Sequence, residues 1–449
     1  MEKEKILKVH ERQLGLLKLL AKVGIDSPFG KLIRLGAYFM DLPLLTQEWR
    51  DYLYLRKENI SDKFLGLDQA LIYTSYNDAK KLIHTVPQQR ENYLGPVKLN
   101  ARSFFLGNTL SLGTNGEEHE GIRALFFQVL PDPAEKTAVL AELVEQALDR
   151  AVNQKRFNVK EDIPQMIVAL LHKLIFDLQL SEEEIVGSVA YIDNLGLATI
   201  PDPFHKTLLS NKTRSHIEHR RRLLETYKKS PKYQDYLAIG ASHQLSEPQV
   251  MNQLFDMIHI AGTAGTSALL GSVFGVLCQD ETLRDQVSSE MDAAWDGKGT
   301  PDARAIKQLE LTEKVILETA RLYPPVRFLN QLSTESQNIE IAGQKCPFQK
   351  GTRLVASIFT ANRDPEKYES PDTFKVTRDY SDLLSWNGEN RERNCPGKSL
   401  SINLIKMFCL YTFKQYKWDS FSEVEWDLNK FGPFTPNNLV FDGFAHRSG

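Results

Sequence analysis

From about residue 117 to 325, apolar positions recur at helical spacing. After Pro324-Pro325 they collect into short strand-like runs between turn residues. The helical period is read in EEHEGIRALFFQVL, AEKTAVLAELVEQALDRAV and EDIPQMIVALLHKLIFDLQL. Earlier, LGLDQALIYT predicts a strand at residues 65–74, and the YNDAKKLI after it predicts a short helix. Residues 247–279, which contain HIAGTAGTSALLGSVFGVLC, form the longest apolar helical stretch and predict a helix buried on nearly all sides. FLNQLS, NIEIAG and TRLVASIF predict strands, a helix is expected over 396–414, and late strands close the chain. The fold class expected is mainly α with a minor β region. Contacts crossing any midpoint cut make it one large domain over residues 1–449, with 1–60 as a helical lead-in.

Composition narrows the function without naming it. Of 449 residues, 42% are hydrophobic and 25% charged, and the formal net charge is −3, so no nucleic-acid partner is expected from bulk charge. The basic runs Arg220–Arg222 and Lys228–Lys229 read as solvated helix faces. Cys278, Cys346, Cys395 and Cys409 lie far apart without a C-x-x-C pair. That disfavours a disulfide framework or a zinc site and fits a reducing, cytoplasmic setting. No run of eighteen apolar residues predicts a membrane span. Ile6, Leu7, Leu14, Leu17 and Leu20 make an amphipathic N-terminal helix, expected to pack on the body, with peripheral lipid contact as the alternative.

The chemistry points to residues 385–400, SWNGENRERNCPGKSL. A thiolate needs positive charge or backbone N–H groups to persist away from water. Pro396 suits a first helical position, which would set Cys395 at a helix start, where free N–H groups and the positive dipole end face its sulfur. Gly397 removes a side chain beside that sulfur, so a flat ligand could approach. Arg391 and Arg393 could neutralise anionic groups on it. Haem is a flat, dianionic ligand whose iron accepts a thiolate. A small buried hydrophobe before a helix is the plainer alternative for this stretch alone.

Other stretches favour haem. Glu318 and Arg321 in ETARLYPP share a helix face, and Arg378 in ANRDPEKYESPDTFKVTRDY could complete a Glu–Arg–Arg cluster. His119 and Arg123 stand four apart on an early helix and could hold a propionate. E-x-x-R, then D-P-x-x-x-x-x-P-x-x-F with a following arginine, then C-x-G opening a helix, resembles a cytochrome P-450 from about residue 65 to the C-terminus. The resemblance implies a haem-thiolate fold carrying haem b, with Cys395 as the axial ligand and Gly397 beside it. It also implies His119, Arg123 and Arg393 on the propionates, and Glu318, Arg321 and Arg378 behind the haem.

Two departures bear on function. The aromatic and glycine usual seven and four residues before the cysteine are here Gly388 and Arg391, and they are matched instead by Trp386 and Gly388 upstream. In the central helix, aligning on Ala261-Gly262-Thr263 puts Ala264 at the acid position and Gly265 at the alcohol position of the usual proton relay. Neither can transfer a proton. Thr266 would need a π-bulge to point inward. Two interior glycines cost about 0.8–1 kcal/mol each against alanine, so both call for a compensating reason.

Chemistry without that relay is the rearrangement of a fatty-acid hydroperoxide, whose O–O bond is already reduced. LLSWNGEN, NRERNC, EEHEGIRALFFQVL and NQLFDMIHIAGTAG resemble elements of the clan of allene oxide synthases, hydroperoxide lyases and epoxyalcohol synthases. That resemblance implies homolytic O–O cleavage at Cys395-ligated haem with no redox partner, and His259 as a candidate to steer the hydroperoxide. The alternative is a dioxygen- and reductase-dependent monooxygenase.

Overall fold

The computed structural model describes residues 60–61, 70–73, 75–85, 88–89, 93–94, 97–98, 102–199, 210–341, 344–348, 350, 353–388, 392–426 and 435–447. The amphipathic N-terminal helix, and the lipid contact weighed for it, lie outside these residues. In chain order the longer helices begin with α1 (Tyr76–Thr85), α2 (Gly116–Val129), α3 (Thr137–Gln154), α4 (Val159–Phe176) and α5 (Glu182–Asp193). They continue with α6 (Ser210–Tyr227), α7 (Tyr233–Ser242), α8 (Glu247–Gln279), α9 (Glu281–Ala294), α10 (Glu310–Leu322) and α11 (Lys398–Gln415). The fold is mainly α with a minor β region, as the periodicity predicts.

Local signals set the helix ends. Ser181 and Glu184 form a reciprocal capping box before α5, and Ser246 and Gln249 do the same before α8. Strands β1 (Ile60–Ser61), β2 (Ala70–Tyr73), β3 (Gln88–Gln89), β4 (Phe328–Ser333) and β5 (Arg353–Ser357) make one sheet, ordered β1-β2-β5-β4-β3. β5 runs parallel to β2 and antiparallel to β4, with Val355 opposite Ile72 and Asn330. A small apolar cluster of Tyr76, Leu82, Ile83, Leu354 and Ile358 sits at this sheet. The main core runs from Phe104 to Phe444 around α8.

α8 is α-helical over Glu247–Asp256, π-helical over Met257–Ala264 and α-helical again over Gly265–Gln279. By length and apolarity it could cross a membrane, but 72% of its apolar window is buried inside the fold. It packs against α4, α9, α10 and α11.

The expected acid–base cluster forms on α10. Arg321 donates Nε to Glu318 Oε2 (2.8 Å) and Nη2 to Oε1 (2.7 Å), and Arg378 Nε donates to the same Oε1 (3.1 Å). Glu318 and Arg321 have no exposed surface. Arg321 Nη1 also donates to Asn362 O and Pro371 O, both at 2.7 Å, so the cluster pins the segment that leads to Cys395. Glu318→Ala should destabilise the protein by about 3–5 kcal/mol, because it leaves two guanidiniums uncompensated. Urea unfolding measures this, and a loss under about 1 kcal/mol would refute it.

Burial keeps three imidazoles neutral in the fold. It lowers His172 and His219 from 6.5 to about 4, and His259 well below 6.5. The unfolded chain therefore binds these protons first as pH drops. Their contribution to stability is full above 6.5 and is lost as pH falls toward about 4. The urea midpoint should be lower at about pH 5 than at about pH 7, and equal midpoints would contradict it.

Candidate active site

Cys395 is only partly exposed and sits two residues before Gly397, the N-cap of α11. The helix thus starts at Lys398, and Pro396 lies in the turn ahead of it rather than opening it. The Lys398 N–H donates to Cys395 O (3.4 Å), and the Gly397 N–H lies in the same turn. Burial raises the thiol above its ordinary value, and those N–H groups with the charges of Arg123 and Lys398 oppose the rise. Cys278 has less help: burial raises it to about 12, against the charge of Arg284. Cys409 is raised by burial with nothing opposing it.

The loop before Cys395 is built on unusual backbone. Trp386, Asn387 and Gly388 have φ of 58°, 69° and 60°. The first two of these values are uncommon for residues with a side chain. The Cys395 N–H donates to Trp386 O (3.0 Å) and Asn387 Nδ2 donates to Arg393 O (2.7 Å), which closes the loop on itself. Ser385 Oγ donates to Ala320 O (2.8 Å), tying the loop to α10. Lys398 Nζ lies 5.7 Å from the centre of the Trp386 ring. Trp386 and Gly388, matched upstream in the sequence, are thus part of this loop, whereas Arg391 lies outside the described residues.

The structure brings His119, Arg123 and Arg393 together beside Cys395. Arg393 Nη1 is 3.4 Å from His119 Nδ1 and donates to Thr114 O (3.1 Å), and its Nη2 donates to Asn115 Oδ1 (3.2 Å). His119 is lowered from 6.5 to about 4, first by burial and then by the charge of Arg393. Arg123 grips the residue before the cysteine, with Nη1 on Asn394 O (2.8 Å) and Nη2 on Asn394 Oδ1 (2.7 Å). Two guanidiniums and an imidazole crowded in one part-buried place suit a dianion. Asn394 escaped the sequence reading, since no spacing rule announces a side chain that only completes another's hydrogen bonds.

α8 carries an opening among otherwise buried residues. From Val250 to Cys278 every residue is buried except Ile260, Ala261, Gly262, Ala264 and Gly265. A Cβ on Gly265 would meet nothing within 4 Å, whereas one on Gly262 would stand 2.7 Å from Leu171 Cδ1. Gly262 is therefore explained by close packing on α4, and Gly265 by open space. Ala264 and Gly265 lie on this opening, and Thr266 stays buried although the π-helical segment ends just before it. His259 requires a correction. It has no exposed surface, its Nδ1 is bonded to Phe255 O (2.8 Å) and its Nε2 to Ser188 Oγ (3.1 Å). Both nitrogens are committed inside the helix bundle, so it does not reach the open face.

A cysteine at a helix start, a part-buried cation cluster beside it and an opening of small residues on a buried helix fit haem. Comparison with known proteins agrees. The family model for cytochrome P-450 matches residues 51–437. Salviol synthase of Salvia pomifera is 23% identical over 42% of this chain and 40% of its own length. Premnaspirodiene oxygenase of Hyoscyamus muticus is 26% identical over 40% and 36%, and cytochrome P-450 3A17 of Cavia porcellus 27% over 47% and 44%. The chain thus spans well under half the length of these curated relatives. A cytochrome P-450DA haem-domain variant superposes with a TM-score of 0.68 at 15% identity, covering 85% of this chain and 88% of its own. P-450 BioI, in complex with an acyl carrier protein ligated to hexadec-9Z-enoic acid, gives 0.66 at 18% identity, covering 88% and 97%. Family and fold both imply haem with a cysteine thiolate as its axial ligand. With the family model matched over most of its length, the chain belongs to the cytochrome P-450 family.

Proposed function

We propose that the protein is a haem-thiolate oxygenase acting on an apolar substrate with dioxygen and electrons from a reductase. Cys395 Sγ would hold the iron, His119, Arg123 and Arg393 the propionates, and the substrate would lie against Ala261, Ala264 and Gly265. The carrying observation is Cys395 at the start of α11 with Arg123 bonded to its neighbour Asn394 and Arg393 beside His119. Haem bound there supplies cleavage of an oxygen–oxygen bond and oxygen insertion. The names of the relatives, which include hydroxylases and an oxygenase, support this reading and lend nothing to the hydroperoxide clan. A redox partner accordingly replaces the electron-free scheme expected from the sequence.

The chain's own residues then bind and orient. The N–H groups of Gly397 and Lys398, with the charges of Arg123 and Lys398, would favour negative charge on the sulfur. Ser267 Oγ is buried and makes no hydrogen bond among the described residues. It follows Ala264 by three positions, which makes the two neighbours on the helix surface. Its oxygen is sealed from the open face, as Thr266 is, so the proton that Ala264 and Gly265 cannot hold would come from water or from the substrate.

A second reading, rearrangement of a fatty-acid hydroperoxide, is favoured by one observation: the open face carries no side chain able to transfer a proton. Purified ferric protein with a linoleate hydroperoxide and no reductase, beside protein with reductase, electrons and dioxygen, separates the two. The first reading expects product only with electrons, and fast loss of the conjugated diene without them would replace it by the second. Cys395→Ser should lose the thiolate band of the reduced carbonyl complex under either.

Ala264→Asp combined with Gly265→Thr restores an acid and an alcohol to the open face. Reductase-driven hydroxylation should rise at least about tenfold, a conservative threshold below the roughly 10²–10⁴-fold of general acid–base catalysis. No gain would favour the hydroperoxide reading.

A further inference from the structure

The opening on α8 coincides with the π-helical segment Met257–Ala264. A π turn bonds i to i+5 and is usually confined to a single bulge. Eight residues of it need support from outside the helix. Within the segment, Thr263 Oγ1 donates to Ile258 O (2.8 Å), five residues back. From outside, α4 packs on the segment, and α5 and α6 supply side-chain hydrogen bonds.

Arg220 of α6 is completely buried and spends all its donors on α5 and α8. Nη1 and Nη2 pair with Asp256 Oδ1 (2.7 Å) and Oδ2 (3.1 Å). Nε and Nη2 donate to Asn252 Oδ1 (3.0 and 2.8 Å), and Nη1 also donates to the Tyr191 hydroxyl (2.9 Å). The guanidinium lies 4.5 Å from the Phe255 ring centre. Asn252 and Asp256 are four residues apart, so Arg220 fixes one face of the last α-helical turn before the π segment.

The first π turn is fixed by a different group. The His259 ring stacks on Phe255 at 3.8 Å. Since its Nδ1–H donates to Phe255 O, its Nε2 accepts from Ser188 Oγ of α5. Ser188 has one proton, so the Nε2 of His219 on α6 donates to the same oxygen (3.1 Å). Burial, which holds both rings neutral, accords with this pattern. Gly187 permits the approach, because a Cβ there would stand 2.5 Å from His219 Nδ1.

A buried ion pair adds little stability over apolar groups of similar size, so its effect here is sought in geometry. Moving one residue in or out of a π turn rotates everything beyond it, which would exchange the small residues at the opening for Thr263 or Thr266. We propose that Arg220, acting through Asn252 and Asp256, and Ser188, acting through His259, are positioning residues that hold this register. They thereby decide that Ala261, Ala264 and Gly265 face the substrate. The inference rests on the haem-thiolate reading.

The test uses the haem-loaded full chain, with imidazole as the probe for the iron side opposite Cys395. Arg220→Met with Asp256→Leu removes the pair and leaves no unpaired charge, and Ser188→Ala removes only the bridging hydroxyl. Imidazole affinity should change by about tenfold in the double variant and at least about threefold in Ser188→Ala, the size of coupling found within one hydrogen-bond network. The thiolate band of the reduced carbonyl complex should stay unchanged in both. Affinity changes below about threefold in both overturn the positioning role, and Ser188→Ala decides alone if the double variant does not fold. Absence of the thiolate band from the unsubstituted protein would instead overturn the haem-thiolate reading, and the inference with it.

Discussion

A sulfur that must carry negative charge away from bulk water sets the terms for this protein. Burial alone pushes Cys395 toward the neutral thiol, as it does Cys278 and Cys409. What distinguishes Cys395 is its place at the start of α11, where the N–H groups of Gly397 and Lys398 and the charges of Arg123 and Lys398 oppose that push. The preceding loop has to deliver the sulfur to that point. Its three left-handed residues, its closing bond from Cys395 to Trp386 and its anchor from Ser385 to Ala320 do so. The Glu318–Arg321–Arg378 cluster secures the segment behind it. These groups act as one frame, so a change in any of them is felt at the sulfur.

The opposite requirement holds on α8. A helix through the middle of a domain is normally sealed by its neighbours, yet this one must leave room. It does so by shrinking side chains to Ala261, Ala264 and Gly265 and by changing pitch over Met257–Ala264. Gly262 and Gly265 look alike in the sequence but answer different demands, one the approach of Leu171 and the other empty space. The same economy removes the acid and the alcohol, so the proton supply becomes the functional question for this chain.

Charge buried far from the sulfur has a coherent explanation in the same terms. Arg220, read as a solvated face from its sequence, is completely buried and joins α6 to α8. His259, read as a candidate for the pocket, serves the bundle instead. Both belong to a polar lattice that holds the N-terminal end of the π-helical segment, where an apolar contact would not specify rotation.

The sequence by itself determined the helical and strand periods, the sulfur at a helix start, the Glu–Arg–Arg cluster and the empty relay positions. Each depends on residues close in the chain or on a motif whose order survives without coordinates. Tertiary structure alone decided that Arg123 grips Asn394 and that Arg220 is buried. It also decided that His259 faces α5 and that Gly262 and Gly265 have different reasons. Those facts depend on which helix lies opposite and at what rotation, and a π turn shifts that rotation by an amount that local periodicity does not encode.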